Sequence, residues 1–159
     1  MYKHILIATD GSELATKALE HGLALAKHDN AHVTVVTVTE PWAPLDMAHE
    51  ARQHRPDPIG HFEEMATAAA NRILDGAAQR GNAHGVTCDV VHVKDQHPAE
   101  GIVATAKEKG CDLIVMASHG RRGVSRLLLG SQAYEVLAHC SVPALSCGSL
   151  VKRPRQPPL

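Results

Sequence analysis

The sequence predicts an open α/β fold: a parallel sheet of five strands with helices on both faces. Three observations carry this expectation. Strand-like apolar runs alternate with segments of helical period along the whole chain, the order that gives a sheet layered between helices. Several of the runs are apolar without interruption at their centres, as suits parallel strands buried on both faces. The length, 159 residues, fits one domain, enough to bury about two-thirds of its unfolded surface.

The elements are expected in the following order. Residues 2–9 (YKHILIAT) form the first strand. A helix follows over 12–28, where Leu14, Ala18, Gly22 and Leu25 or Ala26 recur at three- or four-residue steps, with Ser12 as a candidate N-cap. The second strand is 32–39 (HVTVVTVT). Residues 40–60 then carry four prolines and no clear period, which reads as a mobile connection or a lid. Ala66, Ala69, Ala70, Ile73, Leu74 and Ala77 make one apolar face of a helix over 61–80. The third strand is 86–93 (VTCDVVHV). A helix over 98–109 begins at Pro98 and stops at Gly110, the residues favoured at those two ends. The fourth strand, 111–117 (CDLIVMA), leads through a glycine- and arginine-containing loop into a helix over about 130–139. The fifth strand is 142–147 (VPALSC). Residues 1–149 make the domain, and 150–159 (LVKRPRQPPL) read as a basic, proline-rich disordered tail.

Composition narrows the function. The formal net charge is −1, so no overall field favours nucleic acid or membrane. One Trp, one Phe and two Tyr cannot build a stacking platform for single strands. No apolar run reaches the roughly 18 residues of a membrane span. Met1-Tyr2-Lys3-His4-Ile5 enters a strand pattern at once, so no signal peptide is expected. Cys88, Cys111, Cys140 and Cys147 form no C-x-x-C pair, as expected of reduced, mostly buried thiols in a cytoplasmic protein. His49, His54 and His61 gather in and beside the proline-rich segment, but spacings of five and seven do not share a helix face. They read as a solvated loop, and no metal site is expected.

Two loops carry chemistry. In doubly wound sheets ligands bind past the carboxyl ends of the strands, where the strand order reverses. Thr9-Asp10-Gly11-Ser12 follows the first strand and combines a carboxylate, a glycine and a helix start. ASHGRRGVSRLLLGS, residues 117–131, follows the fourth. Gly120 and Gly130 are expected to let backbone approach a ligand closely. The N–H groups opening the next helix favour negative charge; the Ser131 hydroxyl adds a donor, and Arg121, Arg122 and Arg126 add positive charge. The whole reads as a phosphate cradle. It is neither a P-loop, since G-x-x-x-x-G-K-[ST] is absent, nor a G-x-G-x-x-G dinucleotide fingerprint. A tight strand-to-helix connection would use similar residues, and Asp10 would equally serve to complement a helix dipole.

ILIATDGS near the start, DLIVMASHGRRGVSRLLLGS and VPAL at the close of the sheet together resemble the universal stress protein family. The resemblance spans about residues 2–148. It implies a Rossmann-like sheet of strand order 3-2-1-4-5 and, commonly, a dimer. One branch of the family binds ATP through G-x-x-G-x₉-G-[ST], which falls here on Ala117, Gly120, Gly130 and Ser131, with alanine in the first glycine's place. Alanine is compatible with the cradle if that position has an ordinary φ. The resemblance further implies Ala8 and Asp10 on the adenosine side and Val38 offering backbone groups to the adenine. Met116, Ala117, Ser118, His119, Gly120, Arg121, Arg122 and Gly123 would wrap ribose and phosphates. Ser131, Gln132 and Ala133 would meet the phosphates at the helix start. Asp10 would bind ribose or help hold Mg²⁺.

The function expected is therefore an ATP-binding stress-response regulator or sensor with an unidentified protein partner. A nucleotide-free dimeric interaction module is the alternative favoured by Ala117. An ATPase or nucleotidyl transferase is disfavoured: there is no P-loop lysine and no paired carboxylates near the cradle, and His119 is the one candidate acid or base. The fifth strand, expected at a sheet edge, predicts a homodimer through residues 142–148, with Leu145 near its middle.

Overall fold

A computed structural model describes residues 1–54, 56–120 and 129–148. The strands β1 (His4–Ala8), β2 (His32–Val38), β3 (Cys88–Val93), β4 (Leu113–Ala117) and β5 (Ala144–Cys147) each fall within an expected run. They form one sheet of order β3-β2-β1-β4-β5, parallel throughout. The expected tail, 150–159, lies outside the described residues.

Alternation along the strands divides the core. Ile5, Ile7, Val33, Val35, Leu113 and Val115 face one side, packed by α1 (Glu13–Asp29) and α3 (Pro58–His84) through Ala18, Leu19, Leu23, Leu74 and Ala77. Leu6, Ala8, Val36, Ile114 and Met116 face the other, packed by α4 (Pro98–Lys109) and α5 (Ser131–His139) through Ala99, Ile102, Ala106, Ala133 and Val136. Ile5, Leu6 and Ile7 on the central strand are fully buried, each contributing roughly 1.5–3 kcal/mol of transfer free energy. The small residues of α1 bring it close to β1: a Cβ at Gly22 would lie 2.6 Å from Ile7 Cδ1. The buried stripe of α1 runs through Ala15, Ala18, Leu19, Gly22, Leu23 and Ala26, so Leu14 and Leu25 flank it rather than lead it.

Caps follow the expected chemistry. Ser12 Oγ accepts from Ala15 N at 3.2 Å. Pro98 opens α4, and Gly110 closes it at φ 66°. The proline-rich segment departs from expectation. Residues 44–52 form a helix, α2 (Pro44–Arg52), and α3 starts at Pro58, with Asp57 Oδ1 accepting from Gly60 N at 3.0 Å. Pro44 and Pro58 are helix starters here, since a first helical residue needs no N–H. The helix expected over 61–80 is present and extends to Pro58 and His84, although no described residue of α3 before Ala70 is buried.

α3 has 27 residues, about 40 Å at 1.5 Å per residue. β2 has seven, roughly 23 Å. Arg80 Nη1 and His84 Nε2 meet the two Glu20 oxygens at 2.8 and 3.0 Å, which fixes the α3 carboxyl-terminal half beside α1. Its first dozen residues therefore run past the amino end of α1. There Phe62 meets Trp42 edge to face, ring centroids 4.7 Å apart.

The amino end of the sheet is held by paired polar groups. Asp112 accepts from Lys3 N at 2.8 Å and from His4 N at 3.0 Å. His4 and His32, partners in register, touch edge to face at 4.8 Å. His4 Nε2 pairs with Thr34 Oγ1 and His32 Nε2 with Asp89 Oδ2, both at 2.9 Å. Among the described residues no helix is long and apolar enough to cross a membrane.

Candidate functional site

From β1 the chain winds outward to β2 and β3, then returns to lay β4 on the opposite side of β1. Strand order therefore reverses between β1 and β4, and a crevice opens past their carboxyl ends. Ala8 ends β1, 7% exposed. Thr9 continues the line by donating N–H to Val36 O at 3.0 Å. Thr9 Oγ1 then accepts from Gly11 N at 3.2 Å, and Asp10 Oδ1 from Ser12 N at 2.9 Å. Gly11 has φ 77°, a left-handed turn that glycine adopts without strain. These contacts lock the Asp10 loop as it feeds α1.

The other wall begins at Ala117, the last residue of β4, in register with Cys147. Ala117 is not among the residues with positive φ, so the methyl group imposes no backbone strain. Ser118 is buried: its N–H donates to Cys147 O, and its carbonyl accepts from Gly130 N, both at 2.8 Å. The loop is thus pinched shut, its two ends joined through Ser118 and Gly130.

The glycines make room within the protein. A Cβ at Gly130 would stand 2.8 Å from Ser118 O, and one at Gly120 would stand 3.1 Å from Asp10 Oδ2. Neither glycine has a positive φ. What crowds them is the protein itself, so their small size lets the two walls approach each other. Gly120 also brings the β4 loop against the Asp10 carboxylate, joining the two sequence segments across the switch point.

α5 opens at Gly130, with φ −63° and ψ 151° and no side-chain cap. By helix geometry the N–H groups of Ser131, Gln132 and Ala133 have no intrahelical acceptor, and this end carries partial positive charge. Ser131 is exposed and Ala133 buried. The Gln132 side chain turns away: its Oε1 accepts from Ala99 N at 3.0 Å, which caps α4. Met116 is also turned inward, 3% exposed in the core. For these two residues only backbone remains for a ligand. Arg121, Arg122, Gly123 and Arg126 lie outside the described residues.

Val38 ends β2. Its side chain packs against Gly101, where a Cβ would lie 2.9 Å from Val38 Cγ2. Peptide groups alternate in direction along a parallel strand. Val36 O faces β1 and Thr39 N faces β3, so the Val38 N–H and C=O turn toward β1, beyond the end of that strand. The crevice thereby gains a backbone donor and acceptor on the β2 side.

His119 completes the pinch. Its Nδ1 lies 2.9 Å from Ser118 Oγ, while its Nε2 is buried without a hydrogen-bond partner. A buried polar group left unpaired costs about 1–3 kcal/mol. Trp42 Nε1 and Ser146 Oγ share that condition. Sequence reading passed over both, since a lone tryptophan and a serine in a short strand carry no spacing signal. The four cysteines are unpaired. Burial pushes the Cys147 thiol up from its ordinary value, so the thiol in register with Ala117 is a poor nucleophile. His49 lies on α2, His54 in a turn at φ 50° and His61 in the first turn of α3. Among the described residues no three His, Cys, Asp or Glu side chains come together as metal ligands.

Residues 1–147 match the model of the universal stress protein family. The universal stress protein YxiE of Bacillus subtilis is 28% identical, over 91% of this chain and 98% of its own. A universal stress protein of Thermus aquaticus is 33% identical, again over 91% and 98%. Among solved structures, hypothetical protein MJ0577 superposes with a TM-score of 0.74 at 27% identity, covering 92% of this chain and 96% of its own. Two more distant structures share the fold. A universal stress protein in complex with cAMP has a TM-score of 0.68 at 22% identity, covering 91% and 96%. One from Archaeoglobus fulgidus in complex with dAMP has 0.65 at 19%, covering 92% and 98%.

Proposed function

We propose, from the premise that this chain belongs to the universal stress protein family, that it binds ATP in the β1–β4 crevice and acts as a stress-response regulator or sensor. The observation that carries the reading is the meeting of two loops at the switch point, Gly120 against the Asp10 carboxylate. The spacing Ala117-x₂-Gly120-x₉-Gly130-Ser131 bridges β4 to an α5 amino end without a side-chain cap. In this reading adenine lies toward Ala8 and the Val38 peptide groups, with ribose near Asp10. The phosphates lie along Ser118 to Gly123 and the N–H groups of Ser131 to Ala133. Two relatives by fold are complexes with adenine nucleotides, cAMP and dAMP, which supports the reading. Mg²⁺ would arrive with the triphosphate, held mainly by phosphate oxygens and water, with Asp10 as the carboxylate within reach.

Turnover is not part of the proposal: the crevice offers Asp10 and His119, but no described pair of carboxylates and no activated nucleophile. Calorimetric titration with ATP, followed by product analysis after long incubation, tests both points. Saturable binding with intact ATP is expected. Absence of binding would leave the nucleotide-free interaction module, and ADP released in proportion to protein would make the chain an ATPase.

The proposal includes a homodimer through residues 142–148. β5 is an edge strand, and Leu145 is 43% exposed on it. Tyr134 and Leu137 of the neighbouring α5 are also exposed. Ile114 N donates to Pro143 O and Ser118 N to Cys147 O, so odd-numbered residues of this segment face β4. By alternation Ala144 and Ser146 present their peptide groups outward, ready for a second copy of the same strand.

A further inference from the structure

A groove of about 460 Å³ opens at the amino end of the sheet, the end opposite the crevice. Lys3 and His32 line it from the starts of β1 and β2, Lys27 and Asn30 from the end of α1, and Thr87 from the turn between α3 and β3. All five are exposed. The backbone around the groove is already committed. Lys3 N donates to Asp112, His32 N to Lys3 O, Ala31 N to Ala26 O and Val86 N to Gly81 O. α1 and α3 both close here, at Asn30 with φ 55° and Gly85 with φ 74°. Their closing bonds occupy carbonyls that would otherwise give this end its partial negative charge. What the groove offers a ligand is therefore side chains, and two of the five are lysines.

Three carboxylates at this end of the sheet are turned to other partners. Asp29 accepts from Tyr2 N at 2.8 Å and pairs with His28 Nδ1 at 2.9 Å. Asp112 holds the N–H groups of Lys3 and His4, and Asp89 meets His32 Nε2 at 2.9 Å. None of the three lines the groove. Lys17 pairs with Glu13 at 2.9 Å, but among the described residues neither Lys3 nor Lys27 has a carboxylate within ion-pair distance. We propose that this groove binds a small polyanion, a molecule of metabolite size carrying two or more carboxylate or phosphoryl charges. Lys3 and Lys27 hold the charges, and Asn30 and Thr87 add uncharged hydrogen bonds. A cleft whose unpaired charges share one sign focuses its field and draws the opposite sign. The volume falls within the roughly 300–1,000 Å³ of small-molecule sites. The lysines come from two elements, the edge of β1 and the last turn of α1, so they reach separate charges on one ligand. The inference does not rest on the nucleotide reading, which concerns the other end of the sheet.

The test uses the full chain and its amide ¹H–¹⁵N spectrum, with citrate and pyrophosphate as probes at millimolar concentration. Saturable shifts at Asn30, Ala31, His32 and Thr87 are expected with at least one probe. A response to both makes charge the criterion; citrate alone marks a carboxylate ligand, and pyrophosphate alone a phosphoryl one. Lys3→Gln and Lys27→Gln each remove one charge from an exposed position. Each should weaken the tighter probe about three- to five-fold, the upper range for an exposed charge pair, and the two together about ten- to twenty-fold. Added salt should weaken wild-type binding in the same direction. Shifts at Gly11 and Gly120 report the crevice, so a failure of nucleotide binding there leaves this inference standing. Groove amides that respond to neither probe overturn it. So does binding of full strength in folded Lys3→Gln/Lys27→Gln, which would place the anion on other groups. Should the double variant fail to fold, the two single variants decide, and wild-type affinity in both contradicts the assignment.

Discussion

At Gly120 and Gly130 the same missing side chain has two different consequences. A methyl group at Gly130 meets a backbone oxygen, Ser118 O, at 2.8 Å, and backbone atoms cannot rotate aside. Gly130→Ala is therefore expected to destabilise the protein by about 1–3 kcal/mol and to weaken ATP at least ten-fold. Thermal unfolding and calorimetry measure the two effects, and wild-type values in both would mean the joint has slack. A methyl group at Gly120 meets Asp10 Oδ2 at 3.1 Å, a side-chain atom rather than backbone. Gly120→Ala should leave stability within about 0.5 kcal/mol and lower affinity only a few-fold. Ala117→Gly should do the reverse. The position has an ordinary β-strand φ, so glycine weakens the strand by roughly 0.5–1 kcal/mol and alters affinity little. Restored binding in Ala117→Gly from a wild type that binds nothing would contradict this. The spacing of these residues was legible in the sequence because a short loop leaves it intact. Their neighbours were not, since the atoms that crowd Gly120 and Gly130 come from segments far away in sequence or across the loop. The turn of the Gln132 side chain onto Ala99 N was hidden for the same reason.

Among the elements, the central strands were the easiest to read, because burial on both faces leaves an uninterrupted apolar run. α2 was the hardest, since none of its described residues is buried. Helical period in a sequence reports a buried stripe, and a helix without one writes no period. The four prolines of residues 40–60 then looked like breakers, although two of them start helices. The same division predicts how α3 behaves. From Ala70 onward it buries Ala70, Leu74, Ala77 and Gly81; before that it leans on α2 and the Trp42–Phe62 contact. Amide hydrogen exchange should be markedly faster over residues 60–69 than over 72–84. Equal protection along the helix would mean that the first half is covered by something else, such as a second copy of the chain.

For the whole molecule, pH and association are the measurable quantities. Burial, and the charge of neighbouring His32, hold the His4 imidazole below the ordinary histidine value of 6.5. The unfolded chain accepts that proton more readily than the folded one. The contribution of His4 to stability is therefore complete above about pH 6.5 and is lost as pH falls through the lowered folded value. Denaturation midpoints at successive pH values should fall on acidification, and His4→Gln should flatten the slope. An identical slope in the variant would place the sensitivity elsewhere. Association is tested at Ser146, whose peptide N–H points away from β4. Ser146→Pro removes one outward donor and spares the β4–β5 ladder, whereas a proline at Leu145 would break that ladder. Light scattering at micromolar concentration should find the wild type dimeric and folded Ser146→Pro mainly monomeric. A wild type that is monomeric there, or a variant still fully dimeric, rules out pairing through this edge. The strand order bears as well on how the chain assembles as it leaves the ribosome. β1, β2 and β3 are contiguous in the sheet and complete by Val93, so a three-stranded half can pair early. β1 must then wait with one backbone edge open until residues 113–115 arrive to close it. The Asp10 loop stands ready throughout that interval, but its opposite wall is translated later. A ribosome-bound chain halted before Ser131 would lack the α5 wall, so the proposed nucleotide would act as a folding ligand only after that wall has been made.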